Sequence, residues 1–286
     1  MNKIIVTISN LNEIEKFKNA DIYVVANSSF SVKYPASFSC AEIKEASKII
    51  HSLNKQIYLS INKVFLNDEI KELKVFLDEL KDTDIDGYLV ADLGAFNVLK
   101  NKNLAPKVIY SPETLIVNYY DMNFAFSLGM KSVVLSKEMT LDNILESIEK
   151  ANGNVIVYSF GYYHMFYSRR KLVKNYFDFI QEKDKHQNEH LLLKEKTREN
   201  MYHIYQDDNG TIICNSDIFT NIDYIDEIKA DYFIDSYDLD SDLVKQVIDL
   251  YKLKIEGNCI SLTDIENLDD KKTYTTGFLF RKIGAR

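Results

Sequence analysis

Between Asn154 and Tyr176 the chain reads NVIVYSFGYYHMFYSRRKLVKNY: an apolar β run (Val155, Ile156, Val157), a lone Gly161, then tyrosines, one histidine and two adjacent arginines. These side-chain types point to three kinds of chemistry. Arg169 and Arg170, backed by Lys171 and Lys174, can grip a phosphate or carboxylate. His164 can move a proton or ligate a metal, and Tyr163 and Tyr167 can stack on a ring. Each also has a plainer role open to it, as a solvated basic helix face, a hydrogen-bonded structural histidine or aromatic core filling. No second histidine stands at ligand spacing beside His164, so no metal site is expected there. The stretch reads as a strand running out into a site.

The elements that must position it alternate along the chain. Short apolar runs occur at 3–8, 21–26, 56–62, 87–92, 107–113, 132–138, 154–161 and 231–238, most followed by a helical pattern. In the third unit Ile70, Leu73, Leu77 and Leu80 recur at helical spacing, and in the sixth Thr140 stands where a helix N-cap belongs. After Tyr176 the rhythm breaks into a charged stretch, FIQEKDKHQNEH. Two β-like runs follow around the turn signal Asp208-Asn209-Gly210, predicting an inserted hairpin over about residues 190–215. Eight strands with crossover helices predict an α/β fold, a (β/α)8 TIM-like barrel forming one domain over 1–286, with the hairpin before the last strand. The rival, an open doubly wound sheet, lacks its G-x-G-x-x-G fingerprint here.

A barrel of this kind carries its site at the C-terminal ends of the strands. The residues just past each apolar run are Asn27, Asn62, Asp92, Glu113, Glu138, the segment from Phe160 to Arg170, and Asp235. Carboxylates, a histidine and two arginines there can support acid/base work or hold a polar substrate.

Composition narrows the classes. Of 286 residues 46% are apolar and 27% charged, with 9 Gly and 3 Pro, which supplies a core and little linker. A net charge of -8 argues against general nucleic-acid binding through a basic surface, although a local basic patch can still hold a phosphate, so RNA is not excluded. No apolar run reaches membrane length, and MNKIIVTISN enters a strand pattern directly, so a cytoplasmic protein is expected. Cys40, Cys214 and Cys259 stand far apart without C-x-x-C spacing, which offers neither a disulfide framework nor a four-thiolate metal site, and no cofactor is expected. Oligomeric state is not legible.

From FKNADIYVVANSSFSVKYPASFSCAEIKEASKIIHSLNKQIYLSIN onward the chain resembles the peptidase U32 family, the collagenase-like peptidases, whose members share a degenerate barrel. VADLGAFNVLK is similar to the family's "V-Q-D-L-G" turn at Asp92, Leu93 and Gly94. SPETLIVN resembles "S-T-Q-x-x-x-x-N" at Ser111 and Asn118, LSKEMTLDNI resembles "LARELSLEEI" at Glu138, and TYTTGFL resembles the closing "FTTGFL". The likeness covers nearly the whole chain, carried by the order and spacing of the motifs.

The departures fall on the site. Against the family's "HGALCxxxSGRCLLSxY" this chain keeps Gly161, Ser168, Arg170, Leu172 and Tyr176. It places Phe160 at the histidine and His164 and Lys171 at the two cysteines. The block "GRSxNRGxCxxPCR" gives way to the charged run from Glu182 to His190, and "KIEGR" to FIDSYD. The resemblance implies a hydrolase of peptides, with Asp92, Glu138 and His164 as catalytic candidates. Asn62, Glu113, Tyr167, Arg169 and Arg170 are then the substrate-binding candidates, for a peptide or small anionic ligand. It leaves two alternatives open: chemistry linked to RNA modification, which some members perform with the cysteines missing here, and a noncatalytic binding or scaffold protein. Asp92, Glu138 and Arg170 are expected to converge at one end of the barrel.

Overall fold

The computed structural model describes residues 2–183, 190–197 and 199–281. Residues 184–189 of the charged run, which replaces a family block, lie outside them.

Seven strands follow in order, β1 (Ile4–Thr7), β2 (Ile22–Ala26), β3 (Gln56–Ile61), β4 (Gly87–Val90), β5 (Val108–Tyr110), β6 (Ser132–Val134) and β7 (Asn154–Ser168), each parallel to the one before. After an inserted sheet of β8 (Leu191–Lys194), β9 (Met201–Asp207) and β10 (Gly210–Thr220), the strand β11 (Asp231–Ile234) pairs in parallel with both β1 and β7. That double pairing closes a (β/α)8 barrel. A two-residue β12 (Tyr274–Thr275) lies along β10.

The period-2 alternation of the strands explains the two cores. Ile5, Ile22, Val24, Tyr58, Leu89, Ile109, Val134 and Ile156 form a cluster of their own with Phe233, the packed inner layer of the barrel. Their sequence neighbours Ile4, Val6, Tyr23, Val25, Leu59 and Val90 belong to the larger cluster beneath the helices.

The helices start where their caps stand. On α2 (Cys40–Ser52) Ser39 and Glu42 form a reciprocal capping box. On α4 (Leu93–Asn101) the Asp92 carboxylate accepts from the Ala95 N–H, and on α6 (Leu141–Glu149) Thr140 accepts from Asn143. The helix α3 (Asn67–Glu79) buries Leu73, Phe76 and Leu77 on its apolar stripe. Among the described residues no helix is long and apolar enough to cross a membrane.

The seventh strand departs from expectation. It does not end near Gly161 in a loop, but runs on to Ser168 and pairs antiparallel with β10. Its register with β11 skips Ser159, and Gly161 bends at φ +126. At that φ a side chain is strained, and a Cβ there would lie 2.6 Å from both the Asp235 carbonyl and the Tyr158 hydroxyl oxygen. The bulge and the glycine together steer one strand out of the barrel and into the insert. The Asp208-Asn209 turn between β9 and β10 points back at the barrel, where the Asn209 amide donates to the carbonyls of Ser28 and Ser31.

Candidate functional site: a polar cluster in the barrel mouth

Four charged groups converge just beyond the strand C-termini. Lys33, in the loop after β2, places its ammonium 2.6 Å from the Asp235 carboxylate, which directly follows β11. The two side chains are 4% and 7% exposed. Lys137, after β6, lies 2.5 Å from Glu113, after β5. Tyr158 of β7 stands between the pairs. Its hydroxyl donates to Asp235 at 3.2 Å, and its ring lies under both ammonium groups, 5.4 Å from Lys33 and 4.5 Å from Lys137.

Backbone strain aims two of these side chains. Lys33 and Glu113 have φ of 51 and 60, a left-handed conformation uncommon for such residues, and both face the mouth. The Lys33 loop is held there by Asn62, whose side-chain amide accepts from the Val32 N–H at 2.9 Å and donates to its carbonyl at 3.1 Å. It is held again by the Ser31 hydroxyl, which donates to the Ser60 carbonyl, and by the Asn209 turn.

The electrostatics favour the charged forms of Glu113 and Lys33. Burial alone would raise Glu113, but the Lys137 charge and then His164 hold it well below the carboxylate range. Burial pulls Lys33 down and Asp235 more than offsets it, so the ammonium ends above its ordinary value. Tyr158, buried and with carboxylates nearby, is pushed far up and stays a phenol.

His164 completes the cluster. It is buried on β7, and its Nδ1 lies 3.7 Å from Glu113, beyond hydrogen-bond range. Neither ring nitrogen has a hydrogen-bond partner among the described residues. A buried imidazole with both nitrogens unmatched is costly, and a ligand that bonds to it relieves that cost.

Two cavities meet at Lys137. The inner one, about 50 Å³, has Thr7, Ser60, Ser111 and the two ion pairs on its walls and Val24, Leu89, Val134 and Phe233 among its lining. The outer one, about 340 Å³, is lined by His164, Glu138, Tyr163, Tyr202, Phe278 and Arg281 among others. Its size falls within the range of small-molecule pockets, roughly 300–1,000 Å³.

The residues singled out in sequence separate into groups. Asn62, Glu113, Asp235 and His164 come together in the mouth. Glu138 is exposed and lines the outer cavity. No hydrogen bond or ion pair joins Asp92, Glu138 and Arg170, which were expected to converge, among the described residues. Asp92 is committed to capping α4, and Arg170 is exposed, with no ion pair among the described residues. Arg169 forks onto Glu69 of α3, with Nη2 2.7 Å from Oε1, and so ties the insert to the barrel rim. The Tyr167 hydroxyl donates to the Asn209 carbonyl and supports the turn. Tyr163 is core, stacked on Phe219 at 4.4 Å. Reasoning from strand ends missed Lys33 and Tyr158. It took Glu138 and passed over its neighbour Lys137, whose ammonium makes the ion pair with Glu113.

A cysteine-held metal or cluster, which the family likeness brings to mind, does not fit these residues. The Cys40 thiol on α2 donates to Glu79, burial pushes Cys214 on β10 up to about 11, and Cys259 is exposed beyond the last long helix, α8 (Ser241–Ile255). At the two family cysteine positions stand His164, in the barrel mouth near Glu113, and Lys171, whose ammonium is 2.6 Å from Asp208.

Fold and site thus define a (β/α)8 barrel with a buried Lys/Asp/Glu/Tyr cluster at its mouth. Residues 14–282 match the profile of Peptidase family U32, and the chain belongs to that family. It is 28% identical over 257 residues, 88% of this chain and 82% of the other, to "tRNA hydroxylation protein P2" from Bacillus subtilis strain 168. It is 28% identical over 140 residues to "tRNA hydroxylation protein P" from Helicobacter pylori strain ATCC 700392 / 26695, 48% of this chain and 32% of that protein. The solved structure of "the U32 Peptidase Mk0906" superposes with a TM-score of 0.55 at 16% identity over 82% of this chain and 92% of that one, a likeness of fold.

Proposed function

We propose that this protein serves RNA hydroxylation, with tRNA as its substrate, and that the outer cavity beside His164 receives the target base. The observation that carries this reading is the match to a protein named for tRNA hydroxylation over most of both chains. A base inside a folded RNA is reached only when it swings out of its stack into a pocket. The outer cavity offers such a pocket the exposed ring of Phe278 as an aromatic face, the edges of the buried Tyr163 and Tyr202 in its wall, and Arg281 among its lining residues as a cation for a phosphate. His164 and the Glu113–Lys137 pair then bind and orient the polar edge of the base. The reading also puts the protein in the cytoplasm with its substrate.

Peptide hydrolysis finds less support. The mouth holds no serine or cysteine hydrogen-bonded to a base among the described residues, and burial keeps the Cys214 thiol protonated at neutral pH. A Ser47–His51–Asp86 chain of contacts, at 3.3 and 2.9 Å, lies at the opposite end, where Asp86 precedes β4. There Ser47 is buried and its hydroxyl donates to the Asp84 carbonyl, so it is no nucleophile.

The test is nucleoside mass spectrometry of tRNA from cells with the gene deleted and restored, alongside gelatin and peptide digestion by the purified protein. A nucleoside one oxygen heavier that disappears and returns with the gene supports the reading. Unchanged tRNA together with peptide cleavage would reverse it.

A further inference from the structure

We propose that His190, His203 and Asp238 form a binding site for one divalent first-row transition-metal ion, at the seam between the inserted sheet and the loop after β11. The site does not depend on the RNA reading, and its test uses no RNA.

The strand register builds it. On β9, His203 and Tyr205 share one face. Pairing of Leu191 with Ile204 and Leu192 with His203 then brings His190 onto that same face, stacked on Tyr205 at 4.8 Å. The loop after β11 delivers Asp238 from the barrel side, and three ligand-bearing residues far apart in sequence meet.

Their separations suit an ion. His203 Nδ1 lies 2.9 Å from His190 Nε2 and 3.5 Å from Asp238 Oδ2, and one ligand atom from each residue can be chosen so that all lie within 4.8 Å of one another. Ligands held at about 2.0–2.1 Å, the usual metal–nitrogen distance, stand roughly 2.8–3.0 Å apart around an octahedral metal and roughly 3.3–3.4 Å apart around a tetrahedral one. Two of the contacts already lie close to those edges, and a carboxylate or ring rotation closes the third. The Tyr205 hydroxyl donates to Asp238 Oδ2 at 2.6 Å, the kind of outer hydrogen bond that fixes a ligating carboxylate.

Donor chemistry names the class of ion. Two imidazoles and one carboxylate suit zinc, iron, cobalt, nickel or manganese, whereas calcium and magnesium prefer oxygen alone. With neutral imidazoles the set carries one negative charge, which attracts a dication. Three protein ligands leave positions for water or a small ligand. The site borders two open depressions, one of about 490 Å³ beside Asp238 and one of about 310 Å³ beside His190 that also touches Lys33. An ion there would stand at an entrance to the mouth. His190 and His203 are 13 residues apart and meet only through strand pairing, so no ligand spacing marks them along the chain.

The test is titration of chelator-treated full-length protein with Co(II) and Zn(II) at neutral pH, read by calorimetry and by the visible bands of protein-bound Co(II). One equivalent is expected to bind. Asp238→Asn and His203→Ala should each weaken binding at least about tenfold, and Tyr205→Phe, which keeps the stack, should weaken it by a similar factor through the lost outer hydrogen bond. His51→Ala, which removes the His51–Asp86 pair at the opposite end of the barrel, should bind as wild type does. Tyr205→Phe and Asp238→Asn preserve shape, so the result stands even where His203→Ala folds poorly. Absence of stoichiometric binding, or binding equal in wild type, Asp238→Asn and Tyr205→Phe, would overturn the site and leave a hydrogen-bonded His–His–Asp cluster.

Discussion

The ammonium of Lys33 and the carboxylate of Asp235 meet at 2.6 Å inside the barrel mouth, although 202 residues separate them in sequence. The pair forms because the loop after β2 and the end of β11 both abut β1, and Tyr158 caps it from the side. Removing one member strands the other charge. Lys33→Met should therefore cost about 3–5 kcal/mol of stability, and Lys33→Met combined with Asp235→Leu should cost less than the sum of the two single changes. Denaturant unfolding of the four proteins measures this, and additive losses would mean that the pair is not coupled.

Acid should loosen the rim in a defined window. The Arg169 hydrogen bonds lower Glu69 from 4.5 to about 2. A carboxyl whose folded value is depressed contributes stability above its unfolded value, and that contribution is lost as pH falls toward the folded one. Wild type should therefore lose stability between about pH 5 and pH 2 more steeply than Arg169→Ala, which lacks the largest cause of the depression and keeps only the Leu66 N–H and Lys63. Parallel slopes in the two proteins would contradict the assignment. Glu113 adds to the same acid limb, with the same sign, through Lys137.

The two neighbouring arginines should behave differently. Arg169→Ala breaks a fork onto Glu69 and should cost about 1.5–3 kcal/mol, whereas Arg170→Ala, exposed and unpaired among the described residues, should stay within about 0.5 kcal/mol of wild type. Thermal melts separate them, and an equal loss in both would show that Arg170 has a partner of comparable strength.

Much of this was legible in the sequence, for physical reasons. Eight apolar runs with helices between them leave few ways to bury both faces of a parallel sheet, and Thr140 announced its helix by its own chemistry. Glu113, Asp235 and His164 could be found because strand ends are where a barrel keeps its site. Lys33 could not, since it sits in a long loop and reaches the mouth only through a left-handed backbone and the grip of Asn62 and Asn209. Asp92 caps a helix and Arg170 faces solvent, roles that a residue at a strand end can take as well as a place in a site. The continuation of β7 to Ser168 was hidden because Gly161 reads as a break in sequence, while in the fold it is a bend.

Gly161→Ala tests that bend. The added methyl would meet the Asp235 carbonyl and the Tyr158 hydroxyl at 2.6 Å while forcing a side chain onto φ +126. The change should cost at least about 1–3 kcal/mol and disturb both Tyr158 and Asp235. A variant as stable as wild type would mean that the strand leaves the barrel by another route.

If the barrel mouth serves tRNA hydroxylation, as proposed, a change inside it must alter the tRNA. The most direct measurement is the nucleoside content of tRNA from cells whose only copy of the gene carries Glu113→Gln, a change that keeps the side chain's shape and removes its charge. The hydroxylated nucleoside should vanish on deletion, return with wild type, and return at least about tenfold less with Glu113→Gln, the factor for losing about 1.4 kcal/mol of interaction at the reacting site. Wild-type levels of that nucleoside in the Glu113→Gln strain, with the protein present in equal amount, would contradict it.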